Sequence, residues 1–189
     1  MSEPTAEAEI KVAVTAAEVA ALPARLTAAG FARRGEEALT DSYLDFTRAA
    51  TGEYDFRRLR DVGDATCTLT EKRWATAPDG TRVRLEEERP VPRAECVALT
   101  RDVPAARVLR KRRVTYTGTV AGAPASVVLD SLTLAGAESW YLECEILTTP
   151  AQAGAARTAI TAWLTDALGL TPRPEAPSML ELLLQAGGG

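Results

Sequence analysis

The chain has 189 residues, of which 46% are hydrophobic and 25% charged, with a formal net charge of −4 and no histidine. These totals predict one soluble domain with no general affinity for nucleic acid, and no run approaches the roughly 18 apolar residues that a membrane span needs. Without histidine, Ser-His and Cys-His catalysis and histidine metal ligands are excluded, so a metal would have to sit on carboxylates, which favours Mg2+ or Mn2+.

The N-terminus, MSEPTAEAEIK, has neither the basic start nor the apolar core of a secretory signal, so the cytoplasm is the expected compartment. Cys67, Cys96 and Cys144 show no metal-ligand spacing and are expected to be small packing residues in a reducing environment.

In chain order, residues 7–14 alternate as a strand, with Glu7, Glu9 and Lys11 on one face and Ala8, Ile10 and Val12 on the other. Residues 16–29 carry Val19, Leu22 and Leu26 at helical spacing and end at Gly30, with Pro23 expected to kink or divide the helix. From 40 to about 148, β segments are separated by turn signals at 50–52, 62–64, 78–80 and 121–123. Strands are placed near 42–47, 55–61, 65–74, 81–89, 111–119, 125–132 and 139–147, which with the first makes eight. Residues 92–109 read as one or two short helices, and 151–168 as a longer one with Ile160, Trp163 and Leu164 in its apolar stripe. Pro172, Pro174 and Pro177 mark a connector to a last short helix at 179–185. The whole, 1–189, reads as a single domain with its core at about 7–168 and a C-terminal connector and helix at 169–189.

In six of these segments, the first included, the charged and polar residues collect on one face. Arg58 joins Arg60; Thr68 and Thr70 join Lys72; Arg82 and Arg84 join Glu86 and Glu88; Lys111 joins Arg113; Glu143 joins Glu145. The opposite faces are apolar, suited to helices packed outside. Like charges two residues apart on a strand lie roughly 7 Å from each other and repel, so repeated pairs call for a ligand: cations for an oligophosphate, carboxylates for a metal. The predicted fold is α+β, an eight-stranded antiparallel β-barrel with charges inside and helices outside.

These residues resemble the CYTH, or triphosphate tunnel metalloenzyme, superfamily from about residue 7 to 168. The family's E-x-E-x-K is similar to Glu7, Glu9 and Lys11, and its D-x-Y-x-D to Asp41, Tyr43 and Asp45. Its R-x-R resembles Arg58 and Arg60, T-x-K resembles Thr70 and Lys72, and R-x-E-x-E resembles Arg84, Glu86 and Glu88. Further on, K-x-R with a nearby aromatic is similar to Lys111, Arg113 and Tyr116, a lone aspartate to Asp130, and the closing E-x-E to Glu143 and Glu145. Each motif is weak alone, and their shared order carries the likeness. The chain departs from the pattern at Arg57, at Arg73 and Trp74 after Lys72, and at Pro177, Ser178 and Met179.

The resemblance implies a closed tunnel and metal-dependent hydrolysis of a triphosphate: inorganic tripolyphosphate, thiamine triphosphate or a nucleoside triphosphate. The alternatives are an adenylyl cyclase on the same scaffold and a non-catalytic polyphosphate- or nucleotide-binding module. Lys11, Arg58, Arg60, Lys72, Arg84, Lys111 and Arg113 are assigned to the phosphates, Lys11, Lys72, Arg58 and Arg60 being the catalytic set; Arg82, near a turn, is an even choice. Glu7, Glu9, Glu143 and Glu145 are the expected ligands of Mg2+ or Mn2+, while Glu86, Glu88 and Asp130 either join them or orient the bases. Tyr43 and Tyr116 are expected to pack, Trp74, Trp140 and Trp163 to be structural, and Asp41 and Asp45 to cap or turn the chain.

Overall fold

The computed structural model describes residues 6–49, 53–63, 66–76, 80, 82–170 and 173–187, without the side chains of Arg82, Val83 and Ala106. The expected turn at 50–52, parts of those at 62–64 and 78–80, Pro172 and the side chain of Arg82 lie outside this set. Eight strands form one closed antiparallel barrel: β1 (Ala6–Val14), β2 (Ala32–Arg48), β3 (Tyr54–Asp61), β4 (Thr66–Thr76), β5 (Arg82–Pro92), β6 (Val108–Val120), β7 (Ala123–Leu134) and β8 (Ala137–Thr148). Their order around the barrel is β1-β5-β4-β3-β2-β6-β7-β8. Helices α1 (Ala16–Ala28), α2 (Arg93–Thr100), α3 (Ala153–Asp166) and α4 (Met179–Gly187) complete the chain. No helix among the described residues is long and apolar enough to cross a membrane.

The outer faces of β1, β7 and β8 are apolar, and α1 and α3 cover them. Ala8, Ile10, Val127, Leu129, Leu142 and Cys144 pack with Leu22 and Leu26 of α1 and Ile160 and Leu164 of α3. Thr15 caps α1 in a reciprocal capping box with Glu18, and Pro23 does not divide the helix. On the opposite wall, α2 places Cys96 against Leu59, Cys67, Leu69 and Val91. Cys67 and Cys96 are joined as a disulfide with Cα atoms 6.3 Å apart, so the expectation of three unpaired packing thiols holds for buried Cys144 and not for these two.

Strand β2 is far longer than the segment 42–47 that alternation reveals. Its first half, from Ala32, pairs with β6, and its second half also pairs with β3. Most side chains from Ala32 to Ala38 are exposed on both faces, so no hydrophobic period marks them, and cross-strand hydrogen bonding alone makes the strand.

Two features shape the barrel interior. Strand β1 pairs along its whole length with β8 but with β5 at only Ala6 and Glu7, so most of its other edge needs different partners. The Arg157 guanidinium donates to the Glu9 carbonyl, the Ala176 N–H to the Lys11 carbonyl at 2.8 Å, and Arg173 Nη1 to the Ala13 carbonyl at 2.8 Å. The connector before α4 thus serves as the missing neighbour of β1. The inner faces also turn apolar toward one end: Tyr43, Phe56, Leu109, Leu132 and Tyr141 meet Met179, Leu180 and Leu183 of α4. That apolar cluster stoppers the barrel at this end.

Candidate active site: a tunnel with two charged walls

Beyond the stopper lies a cavity of about 440 Å3 lined by inner-face side chains from β1, β3, β4, β5, β6 and β8. Every base and acid expected there, apart from Asp130, lines it: Lys11, Arg58, Arg60, Lys72, Arg84, Lys111 and Arg113, with Glu7, Glu9, Glu86, Glu88, Glu143 and Glu145. Met179 and Ser178 close one end, and exposed Leu147 and half-exposed Glu88 stand at the other.

The charges are not mixed evenly. One wall, built by β3, β2, β6 and β7, carries Arg58, Arg60, Lys111 and Arg113 against Asp41 and Asp130. Arg60 grips Asp41 through Nε and Nη2 at 2.8 and 3.0 Å, and Arg113 grips Asp130 in the same way at 2.7 Å for both contacts. Lys111 lies between them, 3.4 Å from Asp41 and 2.8 Å from Asp130. Arg58 makes longer contacts of 3.9 Å to Asp41 and 3.8 Å to Glu88, donates to Thr70 at 3.0 Å, and leaves its buried Nε without a partner among the described residues. Thr70 in turn donates to Glu88 at 2.8 Å.

The facing wall, built by β1, β8 and β5, carries Glu7, Glu9, Glu86, Glu143 and Glu145. Lys11 reaches Glu143 at 2.8 Å and Glu9 at 3.2 Å; Lys72 reaches Glu86 at 2.6 Å, Glu7 at 2.8 Å and Glu9 at 3.6 Å. Glu145 has no ion pair or hydrogen bond among the described residues, although the register sets it directly opposite Glu9. Arg84 lies at the margin, its guanidinium 4.7 Å from the Trp74 ring centre and 5.6 Å from that of Phe56. It also faces a second cavity of about 400 Å3 beside the β1 seam, lined by Arg157, Glu175 and Ser178 among others.

Burial alone would neutralise such groups, and the partners decide the outcome. Burial and Glu143 push the Glu9 carboxyl up, but Lys11, Lys72 and Arg84 outweigh them and hold it low. Burial works against charge on Lys11 and Lys72 as well, and the carboxylates around each raise them instead. Asp41 stays ionised despite burial because Arg58, Lys111 and Arg60 surround it. Glu145 goes the other way: burial, opposed by Lys72 but reinforced by Glu143, Glu9 and Glu86, pushes it up to about 7. Lys111 falls to about 8 because burial and Arg113 outweigh Asp41 and Asp130.

Two expectations change, and one open choice narrows. Asp41 is neither a cap nor a turn residue: it is fully buried on the inner face and binds three bases. A register shift between Tyr43 and Asp45 sends Asp45 outside, where it pairs with Arg57. Asp130 is saturated by Arg113 and Lys111, so of the two roles open to it, orienting bases is the one its contacts favour. Tyr116 packs on the outer face with the helices, while Tyr43 belongs to the stopper and is pushed up to about 12 by burial and Asp41. Among the described residues, no three acidic side chains converge as metal ligands.

Comparison with protein-family models and with curated proteins finds no match. Among solved structures, a putative adenylyl cyclase from Hippeastrum, reported to reveal a dominant triphosphatase activity, is 17% identical and superposes with a TM-score of 0.58 over 96% of both chains. A putative adenylate cyclase from Bacillus halodurans is 16% identical, with a TM-score of 0.56 over 93% of this chain and 96% of the other. The chain therefore shares the fold of these two proteins, with its own strands closed as an eight-stranded antiparallel barrel.

Proposed function

We propose that the tunnel is the active site of a divalent-metal-dependent triphosphatase, acting on inorganic tripolyphosphate, thiamine triphosphate or a nucleoside triphosphate. The observation that carries this reading is the separation of charge. Arg58, Arg60, Lys111 and Arg113 outnumber their aspartates on one wall, and the carboxylates outnumber Lys11 and Lys72 on the other. A polyanion and a hard cation together complete that arrangement, and either alone leaves one wall uncompensated.

Phosphoryl transfer is accelerated mainly by positioning and by charge neutralisation on the phosphate oxygens. The guanidinium forks of Arg58, Arg60 and Arg113 suit pairs of phosphate oxygens, and Lys111 adds a point charge between them. Lys11 on β1 and Lys72 on β4 both point at the acidic wall's carboxylates and grip the same chain of phosphates from that side. The oxygen-only donors Glu7, Glu9, Glu143 and Glu145, with Glu86 and Glu88 beside them, are of the type that Mg2+ or Mn2+ takes, although no three of them converge while Lys11 and Lys72 hold them, and Glu145, with no ion pair among the described residues, is the candidate ligand we favour. When bound, such a cation supplies further neutralisation of phosphate charge and acidifies water.

The test is a product assay over tripolyphosphate, thiamine triphosphate, ATP and GTP with Mg2+ and Mn2+ in turn, reading both phosphate and cyclic AMP. Release of phosphate that falls at least about a hundredfold in Lys11→Ala supports the proposal. Unchanged turnover in Lys11→Ala and Glu145→Ala refutes it, and cyclic AMP without phosphate release would replace it with the cyclase reading.

A further inference from the structure

Asp41 has a side chain with 0% exposure in a wall where it and Asp130 stand among four bases. The strand register sets it directly opposite Arg60 on β3 and diagonal to Arg58, which faces Tyr43, and to Lys111, which faces Leu39. The line Arg60, Asp41, Lys111, Asp130, Arg113 therefore crosses the neighbouring strands β3, β2, β6 and β7 with every neighbour in contact. Both arginines present the same edge to their aspartates, Nε and one N–H of Nη2, which leaves the end-on fork of each, Nη1 and the second N–H of Nη2, for other acceptors at the cavity that both side chains line.

As a charge alone, an aspartate here is a disadvantage, because it repels the anion that the wall is built to hold. Its benefit has to be geometric. Arg58, Arg60 and Lys111 repel one another, and each long side chain loses rotamer freedom when a ligand immobilises it. A buried carboxylate at their crossing does both jobs in advance, so the ligand meets an array that is already set.

We infer that Asp41 is a positioning residue that raises the affinity of the tunnel for linked phosphates by fixing Arg60, Arg58 and Lys111, in spite of its own negative charge. The inference rests on the triphosphate reading of the tunnel, and binding measured without turnover keeps the two apart.

The experiment is calorimetric titration of inorganic tripolyphosphate, without metal, into wild type, Asp41→Asn and Asp41→Glu. Electrostatics alone predicts tighter binding in Asp41→Asn and no change in Asp41→Glu. Positioning predicts that both weaken binding by about tenfold, since one removes the charge that grips Arg60 and the other displaces it by a methylene. The loss in Asp41→Asn should also shrink in an Arg60→Ala background, because the two residues act as one unit. Equal or tighter binding in either folded variant overturns the inference. Should both variants fail to fold, wild-type protein decides: slow solvent exchange of the Arg60 Nε–H, free and with tripolyphosphate, supports it, and fast exchange in the free protein overturns it. No binding by wild type is the separate failure of the triphosphate reading, and it takes the inference with it.

Discussion

Glu9 and Glu145 stand directly opposite each other on β1 and β8, yet Lys11 and Lys72 form ion pairs with Glu9 and none with Glu145. On the metal-dependent reading proposed above, an acid without an ion pair beside one that has two is where a cation from solution would bind. Glu145→Gln is expected to raise the Mg2+ or Mn2+ concentration for half-maximal activity by about tenfold. Removing an uncompensated buried charge leaves the melting temperature of the metal-free protein unchanged or higher. A metal titration of both proteins checks this; an unchanged midpoint would count against Glu145 as a ligand.

Arg113 and Asp130 share a two-point contact that a lysine has no means to reproduce, because an ammonium has no planar fork. Arg113→Lys therefore keeps the charge and loses the geometry. Its KM for tripolyphosphate is expected to rise about tenfold, and steady-state kinetics at saturating metal reads that directly. Full activity in the lysine variant would mean that charge alone suffices on this wall.

The barrel and most of the site were legible in the sequence because a strand has a period of two, and the charges obey it: Glu7, Glu9 and Lys11, or Lys111 and Arg113, share a face whatever the strand's neighbours. What escaped depends on neighbours or on irregularity. Asp41 and Asp45 belong to one motif, but a register shift between Tyr43 and Asp45 separates them to opposite sides of the wall, and no local pattern announces a bulge. The stopper is invisible strand by strand, since Phe56, Leu109 and Tyr141 each look like one apolar residue at a strand end until α4 brings them together. The same holds for the division into two walls, which follows from barrel order and not from any single strand.

Stability against acid should depend on the tie between α1 and the C-terminal connector. The Arg173 guanidinium and the Thr15 N–H both bond the Glu18 carboxylate and lower it to about 2 from an ordinary 4.5. A carboxyl depressed in the folded state adds stability that is complete above its unfolded pKa and disappears as pH falls through its folded one, so the window is from about 4.5 down to about 2. Glu18→Gln is expected to lower stability at pH 7 by about 1 kcal/mol, or about 3 °C in melting temperature, with the gap to wild type closing across that window. Melting curves at stepped pH measure it, and a gap independent of pH would show that the charge contributes nothing.

The disulfide between Cys67 and Cys96 spans 29 residues of sequence and ties α2 to the outer face of β4. Closing a loop of this size restricts the unfolded chain and is worth about 3 kcal/mol. Reduction by a dithiol, or Cys96→Ser, is therefore expected to lower the melting temperature by about 10 °C. The inner-face residues of β4, Thr70 and Lys72, lie on the opposite face of the strand from Cys67 and are held by Arg58, Glu88, Glu7 and Glu86 from inside the barrel. Activity below the transition should thus survive reduction. Thiol counting on the denatured protein, with and without prior reductant, supplies the control: free Cys67 and Cys96 in unreduced protein would remove the basis for any difference in stability, and would return both residues to the packing role that their burial alone suggests.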